Sequence, residues 1–187
     1  MINTQKEINR VLKLIEEKTG VVVSPNIIVI EKTDRMEDNK CISGTYYSDK
    51  ELIYINPSIF DINTDENYYR EKAVCDLIYF DGKTTKIDTE KKFQFYMSEI
   101  IRKEILWHID FVIAHEIGHY IHDKFFYNQA MRIPIKGGFG TNGRNSRKNP
   151  LENFADGFAE YVLDLFWKKD SKRAIKMDNI IKRLKTI

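Results

Sequence analysis

Between Glu104 and His122 the chain reads EILWHIDFVIAHEIGHYIH. Wound as a helix, this segment places apolar side chains on nearly every face, which is the pattern of a helix buried all round. Such a helix needs other elements packed against every side. It also carries imidazoles and carboxylates into a region of little water, where polar groups must find partners. The chain has 187 residues, enough to build that surround as one domain. With 42% apolar and 31% charged residues it reads as globular, not disordered.

The rest of the chain arranges itself around this segment. Residues 4–19 have Ile8, Val11, Leu12 and Ile15 at helical spacing, with Gly20 as a stop. Residues 21–31 are β-branched and read as strand, interrupted at Pro25. Residues 32–40 read as a polar loop, and 41–56 as a hairpin turning at Ser48, Asp49 and Lys50, with Pro57 ending its second strand. A helix is expected over 65–80. From Asp88 to Phe125 the pattern is helical in two pieces, the second running from Glu104 to His122. Residues 127–149 form a long loop. Pro150 then suits the first turn of another helix, where its missing N–H does no harm. Residues 170–187 form a basic amphipathic helix with Ile175, Ile180, Ile181 and Leu184 as its apolar face. Strands come first and helices later, so the fold class is α+β. A single domain over 1–187 is expected, with a helix and sheet part over about 1–88 and a helical part over about 89–187.

Within the buried helix, residues 115–119 read His-Glu-Ile-Gly-His. Helix positions i and i+4 share a face, with Cβ atoms about 5–6 Å apart. Two imidazoles at that spacing can converge on one ion at about 2.0–2.1 Å per nitrogen, the distance for Zn²⁺. Glu116 projects about 100° around the helix and can flank the ion without ligating it. There a carboxylate can take a proton from water that the ion has acidified. With 4 His and 14 Glu in the chain, chance supplies roughly 0.006 such matches.

A catalytic zinc site takes a third protein ligand and keeps a position open. Downstream, Glu152 and Asp156 are again i and i+4 on an expected helix. Glu152 can ligate the ion, and Asp156 can accept the outer N–H of a ligating histidine and fix its tautomer. Ala155, Gly157 and Ala159 are small enough to let this helix approach the histidine helix. Glu160 competes for the third position but lies about 12 Å along the axis from Glu152, so one ion cannot take both. His122 lies about 10 Å from His115 along its helix and reads, with His108, as a packed or pocket-edge residue.

His115-Glu-Ile-Gly-His119 followed by Glu152-x-x-Ala-Asp156-x-Phe-Ala resembles the zincin metallopeptidases whose third ligand is a glutamate. Two branches are similar: the catalytic domain of anthrax lethal factor and its relatives, and the ImmA/IrrE-type phage-immunity peptidases. The resemblance implies zinc at His115, His119 and Glu152, Glu116 as general base, and a twisted sheet over the active-site helix with an edge strand that pairs with substrate. It covers about 45 residues of the chain. The first branch carries a tyrosine shortly before the glutamate helix, whereas Asn145 stands nearest that position here and residues 139–149 hold no tyrosine. The second prefers Asn where this chain has Asp156. Arg144, Tyr127 and Asn142 are the candidates for stabilising an oxyanion.

Gly138-Phe-Gly-Thr-Asn-Gly143 matches a dinucleotide-binding fingerprint literally, but no helix with apolar periodicity follows it. It reads as a loop between the two metal-binding helices. A net charge of +2 does not indicate a nucleic-acid binder, although residues 168–187 carry eight Lys/Arg against two Asp. Cys41 and Cys75 have no metal-ligand spacing and read as small buried hydrophobes. No run of 18 uncharged apolar residues occurs, and the first 20 residues lack a secretory pattern, so the expected compartment is the cytoplasm. The expected function is that of a zinc-dependent metalloendopeptidase acting on a protein or peptide substrate. The alternatives are a regulatory binding protein that makes contact through its basic C-terminal helix, and a structural metal site.

Overall fold

A computed structural model describes residues 4–30, 36–37, 40–41, 43–56, 66–67, 70–71, 73–74, 85–127, 129, 131, 133–134, 149–166 and 168–186. The chain divides into two compact units, Met1–Ile59 with Leu106–Ile187, and Phe60–Ile105. The first unit is α+β, with a small mixed sheet and several helices.

Helix α1 (Thr4–Thr19) buries Ile8, Val11, Leu12 and Ile15, the stripe expected from their spacing. It ends at Gly20, whose φ of 75° is left-handed and whose amide bonds back to the Glu16 carbonyl at 2.8 Å. Pro25 does more than interrupt a strand. It opens a 3₁₀ turn, Pro25–Ile27, capped by Ser24, so strand β1 is only Ile28–Ile30. The segment read as a polar loop contains a short antiparallel ribbon, β2 (Met36–Glu37) with β3 (Lys40–Cys41). The expected hairpin forms as β4 (Gly44–Tyr47) and β5 (Leu52–Ile55), with Tyr46 opposite Ile53 and Gly44 opposite Ile55. β1 runs parallel to β5 on its other side, giving the order β1-β5-β4 with β4 at an edge among the described residues. Ile53 and Ile55 are fully buried, which is the alternation a half-covered strand requires.

Helix α3 (Ile109–Phe126) is the core element, with Phe111, Val112, Ile113, Ala114, Ile117 and Ile121 all buried. It begins later than the sequence suggested. His108 has extended backbone (φ −60°, ψ 139°), and its Nδ1 accepts the Asp110 amide at 3.3 Å, so it caps α3 and separates it from α2 (Lys86–Trp107). Helix α4 (Pro150–Val162) begins at the proline, behind an Asn149 cap that accepts the Leu151 amide. It packs against α3 where Gly118 meets Ala155: a Cβ on Gly118 would lie 2.8 Å from the Ala155 Cα. Helix α5 (Lys172–Leu184) packs on α4. Its inner face holds Ala174, Met177, Ile180, Ile181 and Leu184, while Ile175 is exposed and not part of the apolar face.

In the second unit, α2 buries Phe93, and the Arg70 guanidinium lies 3.8 Å over that ring while pairing with Glu90 at 3.0 Å. Of the helix expected over 65–80, the described residues 66–67, 70–71 and 73–74 are helical. Cys75 and the side chain of Cys41 lie outside the described residues.

Candidate metal centre

His115 and His119 project from successive turns of α3, with ring centroids 4.8 Å apart and their Nε2 atoms separated by 3.2 Å. Glu152, in the first turn of α4, brings Oε1 to 3.4 Å from His119 Nε2 and Oε2 to 3.5 Å from His115 Nε2. Donors at about 2.0–2.1 Å around a tetrahedral ion stand about 3.4 Å from one another. The two imidazole nitrogens, 3.2 Å apart, match that figure, while Glu152 reaches the two rings through different oxygens, and one donor atom from each of the three residues lies within 4.8 Å of the others. These residues form a group that can hold a metal ion. The imidazoles are mostly enclosed, at 16% and 17% exposure, whereas Glu152 is 33% exposed, so the group faces solvent on the carboxylate side.

Asp156 sits one turn after Glu152, where its Oδ1 is 2.9 Å from His115 Nδ1. Donating Nδ1–H to that carboxylate leaves the Nε2 lone pair aimed at Glu152, the tautomer a metal ligand needs. Burial pushes the His115 pKa down, but the bonds to Asp156 and Glu152 outweigh it, and the imidazole is held well above its ordinary range. A proton and a metal ion therefore compete for one lone pair. His119 goes the other way, lowered to about 4 by burial and then by neighbouring His115. Glu152 is held below the usual carboxylate range, first by its bond to His115.

Glu116 points from α3 towards the sheet and is buried, at 6% exposure. Burial pushes its carboxyl up to about 7, with the Glu152 charge adding to the shift and His115 and the Tyr46 backbone N–H opposing it. The contact with β4 depends on Gly44. A Cβ there would stand 2.8 Å from Val112 Cγ1 and 3.0 Å from Glu116 Oε1, so the strand lies directly on this residue. The ladder sets which backbone groups face outwards. The Asn56 amide bonds to the Ser43 carbonyl at 2.8 Å. By alternation the Gly44/Ile55 and Tyr46/Ile53 pairs are the non-hydrogen-bonded ones. The amides and carbonyls of Gly44 and Tyr46 thus point off the sheet edge, and Glu116 takes the Tyr46 N–H. The Tyr46 side chain anchors the strand further along α3, donating its hydroxyl to Asp123 at 3.0 Å and meeting Tyr120 edge to face.

The other residues singled out in the sequence fall elsewhere. Glu160 does not compete for the third ligand position. It is fully buried on another face of α4, with Oε2 2.6 Å from Arg173 Nε. His122 packs edge to face against Phe154, as expected of a packed residue. Tyr127 lies at the end of α3 and is exposed. Asn142, Arg144, Asn145 and the Gly138–Gly143 stretch lie outside the described residues. Sequence reasoning missed Gly44 and Tyr46, which only the folded sheet brings to Glu116. It also missed Arg173, hidden within a basic run that reads as solvated.

Comparison with protein-family models, curated proteins and solved structures returns no match for this chain. Among the described residues, no helix is long and apolar enough to cross a membrane.

Proposed function

We propose that the protein is a zinc-dependent metalloendopeptidase of the zincin type, with His115, His119 and Glu152 as ligands and Glu116 as general base. The observation that carries this reading is the convergence of two imidazoles and a carboxylate, one donor atom of each within 4.8 Å of the others, beside a buried carboxylate, Glu116, that has its own hydrogen-bond support. Zinc is favoured by the ligand chemistry, two imidazoles and a carboxylate with one side open. When bound there it acidifies a water and polarises a carbonyl.

The chain's own residues do the rest. Asp156 holds the His115 ring so that Nε2 faces the ion. Glu116 takes the proton of the attacking water and passes it to the leaving amine. Its burial against β4 holds the carboxyl beside the ligands and away from bulk water. The edge of β4 supplies the outward carbonyl of Tyr46 and the outward amide and carbonyl of Gly44 for pairing with an extended peptide. Among the described residues no strand pairs with that edge, which suits cleavage within a chain.

The test is hydrolysis of a peptide library by wild type and by Glu116→Gln, with zinc content measured in both. The variant is expected to keep its zinc and to lose about 10³-fold in rate. Equal cleavage by the two proteins, or none by the zinc-loaded wild type, removes the hydrolase reading.

A further inference from the structure

Arg173, on α5, is fully buried although the basic run around it is exposed. Its guanidinium is engaged on every nitrogen. Nε donates to Glu160 Oε2 at 2.6 Å, Nη1 to Asn153 Oδ1 at 2.5 Å and to the Pro134 carbonyl at 3.1 Å, and Nη2 to the Asn153 carbonyl at 3.3 Å. Asn153 in turn donates Nδ2 to the Ile133 carbonyl at 2.6 Å. Gly157 makes room for the fork, since a Cβ there would stand 3.3 Å from Nη2. Apolar side chains of the same volume would hold α4 against α5 at least as well as a buried ion pair. The polar solution therefore points to a geometric task.

We infer that Arg173 is a positioning residue for the metal ligand Glu152. The guanidinium grips Asn153, the residue joined to Glu152, by both its side chain and its main chain. Through Asn153 and Pro134 it ties the first turn of α4 to the chain that follows α3. Helix ends fray unless tied down. This clamp fixes the end of α4 relative to α3, and so fixes Glu152 relative to His115 and His119. Arginine suits the task because its planar fork addresses several acceptors at once, which an ammonium cannot do. The inference rests on the zinc-binding reading given above.

The test measures binding of zinc alone by competition with a chromogenic chelator. The proteins are wild type, Arg173→Lys, the double variant Glu160→Gln/Arg173→Met, and Val11→Ala as a destabilised control on α1. Arg173→Lys keeps a cation for Glu160 but gives up the fork, and the double variant removes both buried charges so that neither is left unpaired. Wild type is expected to bind one zinc per chain. Both Arg173 variants are expected to bind about 10–100-fold more weakly, while the Val11→Ala protein keeps wild-type affinity. Wild-type affinity in the folded Arg173 variants, or an equal loss in the control, overturns the positioning role and leaves the metal site standing. A wild-type chain that takes up no zinc overturns the metal reading itself, and the positioning role with it.

Discussion

Helix α4 carries two clusters of polar side chains on adjoining faces, and they are built differently. On one face Asn153 and Glu160 meet the guanidinium of Arg173 and are sealed from water. On the other, Glu152 and Asp156 meet the imidazoles of His115 and His119, and Glu152 remains a third exposed. The first cluster brings its own permanent cation. The second aims lone pairs and carboxylate oxygens at a common point, an arrangement that a divalent ion completes. A closed network of satisfied bonds rigidifies a fold. A convergent set of donors open on one side is where binding energy can be put to chemical use. One helix of 13 residues presents both.

Breaking each face separately tests this contrast. Glu160→Leu leaves Arg173 charged, buried and without its carboxylate, and should cost about 3–5 kcal/mol of unfolding free energy in urea titration of the chelator-treated protein. Glu152→Leu in the same assay should cost clearly less than that, about 0–1 kcal/mol for a pair that is partly exposed, while weakening zinc binding by more than about 100-fold, since even outer partners of metal ligands are worth about 10–100-fold. If the two variants exchange these phenotypes, the division of labour on α4 is wrong. A smaller effect follows from the close approach of the helices. Gly118→Ala places a Cβ 2.8 Å from the Ala155 Cα, against backbone that cannot give way as a flexible side chain would. It should cost about 1–3 kcal/mol and weaken zinc binding as well, by moving α4 off the histidines. The smallest effect is the pH response of His122, whose pKa is lowered chiefly by burial. The folded chain holds fewer protons there than the unfolded chain. This contribution to stability is therefore complete above the ordinary imidazole value of 6.5 and is lost as pH falls through the depressed folded value. In chelator-treated protein, His122→Asn should flatten that part of the stability-against-pH curve, and an unchanged slope would assign it to other groups.

What the sequence disclosed and what it hid follow from how far each signal reaches along the chain. His115, Glu116 and His119 are set by one helical period, and so are Glu152 and Asp156. Their spacing alone places each set on one face; of the small residues expected to face the histidine helix, Ala155 does so, against Gly118, whereas Gly157 faces Arg173 and Met177 on α5. The stripe of α1 and the β4–β5 hairpin are local in the same sense. The partner of Glu160 is not local. Arg173 lies 13 residues on, past a helix end and a turn, and the lysines around it, Lys168, Lys169, Lys172 and Lys176, are exposed. Hydrophobic periodicity assigns such a residue to water, and only the tertiary fold overrides that. Gly44 is another such case. A glycine opening a strand is unremarkable until α3 crosses beneath it. The late start of α3 was hidden because an imidazole is an uncommon cap, and the β2–β3 ribbon because its strands are two residues each.

The order of Glu160 and Arg173 along the chain also bears on synthesis. Translation at about 5–20 residues per second puts about one second between them as the nascent chain leaves the ribosome. Until the guanidinium arrives, Glu160 must stay hydrated, so that face of α4 cannot close. The donor carboxylate at 152 is made early but can lock into place only after the polypeptide has grown past residue 173, which ties assembly of the His-His-Glu group to the emergence of α5.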